Sequence, residues 1–311
     1  MECNVNGKNT GRRVTAVVSV FFVFFSTWSQ ANDILVPMPR SQFDLSHSYH
    51  VQLLEKALAK TADEGEIPTI RSTVSMVESR AMMELEKGEL LTLSWLGTDD
   101  EKEKRLYPIP IPTTKGLIGF RKFFVQRNSA YRFRRVSTIA QLTSFVACQG
   151  KDWPDTIILK QAGLPVATTS HYEDLFAMLN AGRCDYFPRG LHDFEQELVA
   201  RQATYPNLVQ LEELVLHYPF AVYFFTSKDK AALAQRIHRG LVALHQSGEF
   251  LTHMRTHALT KMAFPLAQPK GTQLIQIANS QFSNSPLRQQ ATEYMFTVDV
   301  LEIKKAGEAT R

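Results

Sequence analysis

The chain has 311 residues, with 35 Lys plus Arg against 31 Asp plus Glu, a formal net charge of +4 and 44% hydrophobic residues. Its length suffices for two lobes of ordinary domain size. The near-neutral balance gives little support to nucleic-acid binding, which needs a basic stripe.

Taken from the N-terminus, the first feature is an apolar run from Val14 to Trp28, preceded by Arg12 and Arg13 and followed by Ser29-Gln30-Ala31. A positive start, an apolar middle and small residues at the end are the pattern of a secretory signal peptide. The run is shorter than the roughly 20 residues a membrane-spanning helix needs. Residues 1–31 are therefore expected to be a signal peptide and the protein to be periplasmic, with a retained anchor as the alternative. Cys3 precedes the run, so no lipid-attachment cysteine sits at the cleavage point. Without the leader, 280 residues remain at a net charge near +2. No later segment is apolar enough to span a membrane.

Periodicity then predicts alternating helices and strands. His47 to Thr61 carries a helical apolar face, and Val77 to Lys87 is a second helix stopped by Gly88. Leu90 to Leu96 and Leu117 to Gln126 read as strands, the second rich in Phe and interrupted by Arg121 and Lys122. From Val136 the pattern repeats. Strands are expected at 145–148, 165–168 and 184–187, with helices at 139–142, 154–159, 172–181 and 194–202. Tyr218 to Thr226 is a further strand, and Asp229 to Leu244 and Glu249 to Lys261 are helices; the tail after Phe264 is mixed. Such alternation argues for parallel α/β layers. Cys148 and Cys184 either pair in an oxidising compartment or remain two separate buried thiols.

Several segments carry a resemblance. They are Arg80-Ala81-Met82-Met83-Glu84-Leu85-Glu86-Lys87-Gly88-Glu89-Leu90, the run Glu101 to Arg105 followed by Pro108-Ile109-Pro110, Cys148-Gln149-Gly150, and Leu179-Asn180-Ala181-Gly182-Arg183-Cys184-Asp185. With Leu244 to Phe250 they resemble, in order and spacing, the type 2 periplasmic solute-binding proteins of the polar amino-acid-receptor kind. Gly150 to Thr156, Tyr186-Phe187-Pro188-Arg189-Gly190 and His217-Tyr218-Pro219 resemble an incompletely characterised bacterial branch. The resemblance implies an α/β fold of two lobes, each a mostly parallel sheet flanked by helices. Lobe 1 would comprise 32–118 and the return segment 222–311, and lobe 2 would comprise 119–221. It also implies a monomer that closes on a small polar ligand for an inner-membrane ABC transporter or a sensor, with no cofactor, metal or catalytic residue.

Carried over residue by residue, Arg105 stands where such receptors grip the ligand carboxylate, a task that suits a guanidinium fork. The alternative is a solvated arginine in the charged run Asp99 to Arg105. Ser94 and Thr98 offer hydroxyls, while Gly150, Lys151, Asp152 and Trp153 form the expected lobe 2 wall; Asp155 reads more readily as a helix cap, and Trp95 as core. Arg189 occupies a place where many such receptors carry an acid for the α-ammonium. A cation there disfavours an ordinary zwitterion and favours an anion, unless Arg189 pairs with Asp185 or Asp193. His47 with His50, and His253 with His257, have metal-compatible spacing but no third ligand, so they read as surface or packing residues. No G-x-S-x-G, Walker or H-E-x-x-H pattern occurs. Two other classes remain: a dehydratase-like periplasmic enzyme on the same scaffold, and an interaction module with a vestigial cleft.

Overall fold

The computed structural model describes residues 1–4 and 33–302. The expected signal peptide therefore lies almost wholly outside the described residues. In chain order the elements are β1 (Ile34–Val36), α1 (Leu45–Ala59), β2 (Ile70–Ser72), α2 (Glu78–Lys87), β3 (Leu93–Gly97), α3 (Asp100–Arg105) and β4 (Tyr107–Ile109). Next come β5 (Phe120–Gln126), α4 (Ile139–Leu142), β6 (Ala147–Gly150), α5 (Pro154–Gln161), β7 (Val166–Thr169), α6 (Tyr172–Asn180), β8 (Tyr186–Gly190), α7 (Phe194–Arg201) and β9 (Leu208–His217). The chain closes with β10 (Val222–Thr226), α8 (Ala231–Gln246), α9 (Glu249–Thr256), β11 (Gln273–Gln276), α10 (Ser280–Asn284) and α11 (Pro286–Ala291).

These strands form two layers. In the first, β1 pairs with β2, and β10 lies between β3 and β4. The Thr92 N–H donates to the Leu35 carbonyl at 2.8 Å and so links the two parts. The second layer is six-stranded, in the order β11-β9-β5-β8-β6-β7. In each layer one strand runs against the rest: β10 is antiparallel to β3 and β4, and β5 to β8 and β9. Both reversed strands follow a crossing, because a chain that arrives from the other layer enters from the shared end. The sheets are thus mostly parallel, each with one inserted antiparallel strand.

α1 shows why the sequence folds this way locally. Asp44 accepts from the Ser46 N–H and caps the helix, while Tyr49, Leu53, Leu54, Ala57 and Leu58 form one buried stripe. Each buried leucine contributes roughly 1.5–3 kcal/mol. The stripe joins a core with Leu93, Ile109, Phe224 and the α8 residues Ile237, Leu241 and Leu244. A separate core, containing Phe123, Tyr186, Ile158 and Leu211, packs on the six-stranded sheet. Cys148 and Cys184 are joined by a disulfide with Cα atoms 5.5 Å apart, which resolves the alternative left open by the sequence.

The two crossings, residues 110–119 and 218–221, lie side by side. Tyr218 N–H donates to the Gly119 carbonyl at 3.1 Å and Thr113 N–H to the Val222 carbonyl at 2.9 Å. A Cβ on Gly119 would stand 2.3 Å from the Tyr218 carbonyl oxygen, so only glycine permits this approach. The sequence-based strand at 218–226 begins late, at Val222, because residues 218–221 make the crossing, and β9 was not anticipated. Its Glu212 and Glu213 break the apolar run, and the register shifts between Arg121 and Phe123 opposite it.

The tail departs most from expectation. By pairing, β11 belongs to the six-stranded sheet, beside β9, although the sequence places 222–311 with the first lobe. The chain then returns: Asn279 Nδ2 donates to the Pro219 carbonyl at 3.0 Å, and Arg288 on α11 binds Glu103 at 2.7 Å and Asp100. Among the described residues no helix is long and apolar enough to cross a membrane.

Candidate functional site

A cleft of about 530 Å³ opens between the two layers. The first layer supplies the loop after β1, the start of α2 and the end of β3. The second supplies the start of β5, the end of β6, and the starts of α5 and α6, with the turn after β8. Three helices point their N-termini at it, and their cap residues Val77, Trp153 and His171 make no side-chain capping bond. Their first-turn N–H groups and positive dipole ends therefore favour an anionic group in the cleft.

Eight charged side chains line the walls, four of each sign: Arg40, Arg80, Arg121 and Arg189 against Asp44, Glu78, Asp155 and Asp193. Most are already paired. Arg40 holds Asp44 through Nε at 2.8 Å and Nη2 at 2.9 Å. Burial alone would raise the Asp44 carboxyl, but attraction to Arg40 and its hydrogen bonds outweigh this and hold it well below the usual carboxylate range. Arg121 pairs with Asp155, which also accepts from the Tyr218 hydroxyl. Arg189 donates to both Glu197 oxygens at 2.7 Å and to Asp193 at 2.8 Å. Glu197 also accepts from the Tyr172 hydroxyl.

What stays unsatisfied is informative, because buried polar atoms normally find partners. Arg121 Nε, Thr114 Oγ1, His192 Nδ1 and Asp193 Oδ1 all belong to buried residues of the cleft wall and have no hydrogen-bond partner. A Cβ on Gly190 would lie 2.8 Å from His192 Nδ1 and 3.3 Å from Asp193 Oδ1, so both face the space that this glycine leaves open. Burial, and then the positive charges of Arg121 and Arg189, push His192 down to about 3, leaving it neutral near pH 7. Burial likewise pushes His50 down to about 3. His50 stacks flat on Trp95, with ring centroids 4.8 Å apart, and Trp95 both packs against the core and lines the cleft.

Of the residues expected from sequence, Ser94, Gly150, Trp153 and Arg189 line the cleft, while Thr98, Arg105, Lys151 and Asp152 do not. Arg105 ends α3 and is turned onto Glu86 at 2.6 Å and Glu101 at 2.6 Å, so its fork is spent on surface carboxylates. The Thr98 hydroxyl donates to Glu103. Lys151 and Asp152 are exposed in the turn after β6. The Trp153 ring folds back over Gly150, where a Cβ would meet it at 2.4 Å.

Arg189 is corrected in charge rather than position. Asp193 and Glu197 neutralise it, so the expected repulsion of a ligand ammonium lapses. His253 and His257 pack about Tyr49, with His253 Nε2 at 3.2 Å from the Tyr49 carbonyl. Among the described residues no group of His, Cys, Asp or Glu is placed to hold a metal.

Sequence reasoning missed Arg40, Asp44, His50, Glu78, Arg121 and His192. One signal was present: Arg121 and Lys122 sit inside a phenylalanine-rich strand, and charges buried there need partners. No such signal marked Arg40, which reaches the site only because β1 ends at the cleft.

No protein-family profile matches the chain, nor does any curated protein. Its fold matches many solved structures. A histidine kinase sensor domain with similarity to periplasmic binding proteins aligns at TM-score 0.54 and 15% identity, covering 73% of this chain and 96% of that one. An arginine-specific periplasmic binding protein of Salmonella typhimurium gives TM-score 0.54 and 14% identity, with 73% and 99% covered. An ancestral amino-acid-binding protein, a precursor of cyclohexadienyl dehydratase, gives 0.52 and 12%, with 73% and 95% covered. At these identities the likeness is one of fold: the chain has the two-lobed architecture of the type 2 periplasmic binding proteins.

Proposed function

We propose that the chain is an exported solute-binding protein that captures a small polar, amino-acid-like molecule between its lobes and does not transform it. Residues 1–31 act as the signal peptide. Lobe 1 is built from 32–118 and most of 222–311, and lobe 2 from 119–221 with β11 added. Ligand contact with both lobes favours the closed arrangement, and the loaded monomer is delivered to an ABC-type transporter or a sensor. The disulfide between Cys148 and Cys184 supports an oxidising compartment.

The observation that carries this reading is the set of unpartnered buried atoms in a charge-balanced cleft. Arg121 Nε and the helix N-termini offer donors to a carboxylate. Asp193 Oδ1 and His192 Nδ1 offer acceptors to an ammonium. Of the anionic and amino-acid-like ligands expected from sequence, the zwitterion fits better, since four cations face four anions. Ser94, Gly150, Trp153 and Arg189 remain proposed wall residues. Calorimetry with a panel of zwitterionic amino acids and simple dicarboxylates tests this. The expected result is zwitterion binding that Asp193→Asn weakens about tenfold, the loss of one charged hydrogen bond. Binding confined to dicarboxylates, or unaffected by that variant, refutes the assignment.

A second reading, an enzyme on this scaffold, rests on His192: its Nδ1 is buried in the cleft wall without a partner, where it can exchange a proton with a bound molecule. Mass spectrometry of ligand recovered from the protein separates the two. Unchanged ligand supports the receptor, and product supports the enzyme.

A further inference from the structure

The end of lobe 2 opposite the cleft is one-sidedly basic. β6 finishes at the cleft with Gly150, β8 reaches it with Arg189 next to its last residue, and the start of β5 places Arg121 there. The opposite strand ends therefore bring together the turn after β5, the segment before α4, the end of α5 and the turn before β8. Arg127, Arg132, Arg134, Arg135, Lys160 and Arg183 all lie on these turns and are exposed. One backbone bond and one ion pair tie this end together: Arg127 N–H donates to the Asn207 carbonyl at 2.8 Å, and the Arg132 side chain pairs with that of Asp185 at 2.7 Å. Asp185 is the only acidic residue on these turns, and it is committed to Arg132 and the Val146 N–H. No Asp or Glu occurs between Glu103 and Asp152 in the sequence. Among the described residues Arg127, Arg134, Arg135 and Arg183 form no ion pair.

We propose that this face is a docking surface for the anionic headgroups of a phospholipid bilayer, and that it is independent of the cleft. Three observations select that occupant. The cations are spread over several turns of a sheet end, which matches an array of phosphates rather than one bound anion. Most are arginines, whose fork donates two bonds to a phosphate. Tyr131, 64% exposed, stands among them and presents an aromatic ring of the kind that settles at headgroup depth. An exported chain works beside a membrane, and basic groups near an anionic leaflet are drawn to it over about a Debye length.

Vesicle co-sedimentation of the compact unit Ala31–Arg311 tests the assignment. The expected result is binding to phosphatidylglycerol-containing vesicles, not to phosphatidylcholine alone, that fades as salt rises. Each of Arg127→Gln, Arg134→Gln and Arg135→Gln weakens it about fivefold. Replacing the exposed lobe 1 residues Lys56, Lys228 and Lys261 with Gln removes the same charge and leaves binding unchanged. Circular dichroism confirms that each variant is folded. Absence of binding to anionic vesicles, or a loss from combining the three arginine substitutions no greater than that from the three lysine substitutions, overturns the proposal. Retention on immobilised polyglutamate without vesicle binding also overturns it and points to an acidic protein partner instead.

Discussion

The Arg40 guanidinium lies 4.4 Å over the ring of Tyr172, joining the loop after β1 to the first turn of α6 across the cleft. Phe43 on the same loop meets the Arg201 guanidinium at 5.5 Å. Tyr172 is itself flanked by Arg189 and Arg201, so one aromatic ring collects three cations while its hydroxyl is held by Glu197. The Arg40–Tyr172 contact joins the two lobes directly, through residues that both line the cleft.

Removing it should shift the protein toward an open form. A cation–π contact contributes about 0.5–2 kcal/mol, so Arg40→Ala or Phe43→Ala should weaken any ligand that requires closure roughly 2- to 30-fold. Phe43 does not line the cleft, so its effect isolates closure from direct contact. Small-angle scattering of the ligand-free variants should show a larger radius of gyration. An unchanged radius in both variants would remove the latch role.

Arg189 should matter more for folding than for ligand charge. Arg189→Met leaves Asp193 and Glu197 buried without their cation, and breaking a buried pair from one side costs about 3–5 kcal/mol. Urea unfolding should show that loss as a lower midpoint at unchanged slope. A loss below about 1 kcal/mol would mean that the carboxylates had taken up protons or water.

Stability should fall in mild acid. Burial holds His50 and His192 near 3, and His217, His245 and His253 near 4, below the ordinary value of about 6.5. The unfolded chain therefore takes up protons first as pH drops below about 6.5, while the folded chain stays neutral. The stability is fully present above that value and is lost as pH falls toward 4, by about 1.4 kcal/mol per pH unit for each fully buried histidine. Urea midpoints measured from pH 7 to 4 should show the slope, and His50→Asn should reduce it by one histidine's share. A flat profile over that range would contradict the neutral assignment.

The disulfide should be structural. It closes a sequence separation of 36 residues, for which chain entropy gives about 3–4 kcal/mol. The Cys148→Ser, Cys184→Ser double variant should melt roughly 5–15 °C lower by calorimetry, with its α/β circular dichroism intact. An unchanged melting temperature would show that the reduced chain is equally ordered.

Much of the fold was legible in order. The α1 stripe, α2, α6 and α8 follow from apolar spacing, and the Phe-rich β5 from its composition, because these signals are local. β9 was not legible, since its two glutamates interrupt the pattern that its neighbours would otherwise reveal. Nor was β11, a short edge strand whose only signature is pairing with a segment some sixty residues earlier.

For the cleft, the amino-acid sequence by itself, through its resemblance to a known fold, pointed to Gly150, Trp153 and Arg189, which line the cleft because they sit in short motifs whose local order survives in the sequence. Tertiary structure alone decided the charges. Arg105 is spent on Glu86, nineteen residues away, and Arg189 is neutralised by the helix that follows it. Whether a guanidinium greets a ligand or a neighbour depends on which carboxylate the fold brings within about 3 Å, and residue spacing does not encode that distance.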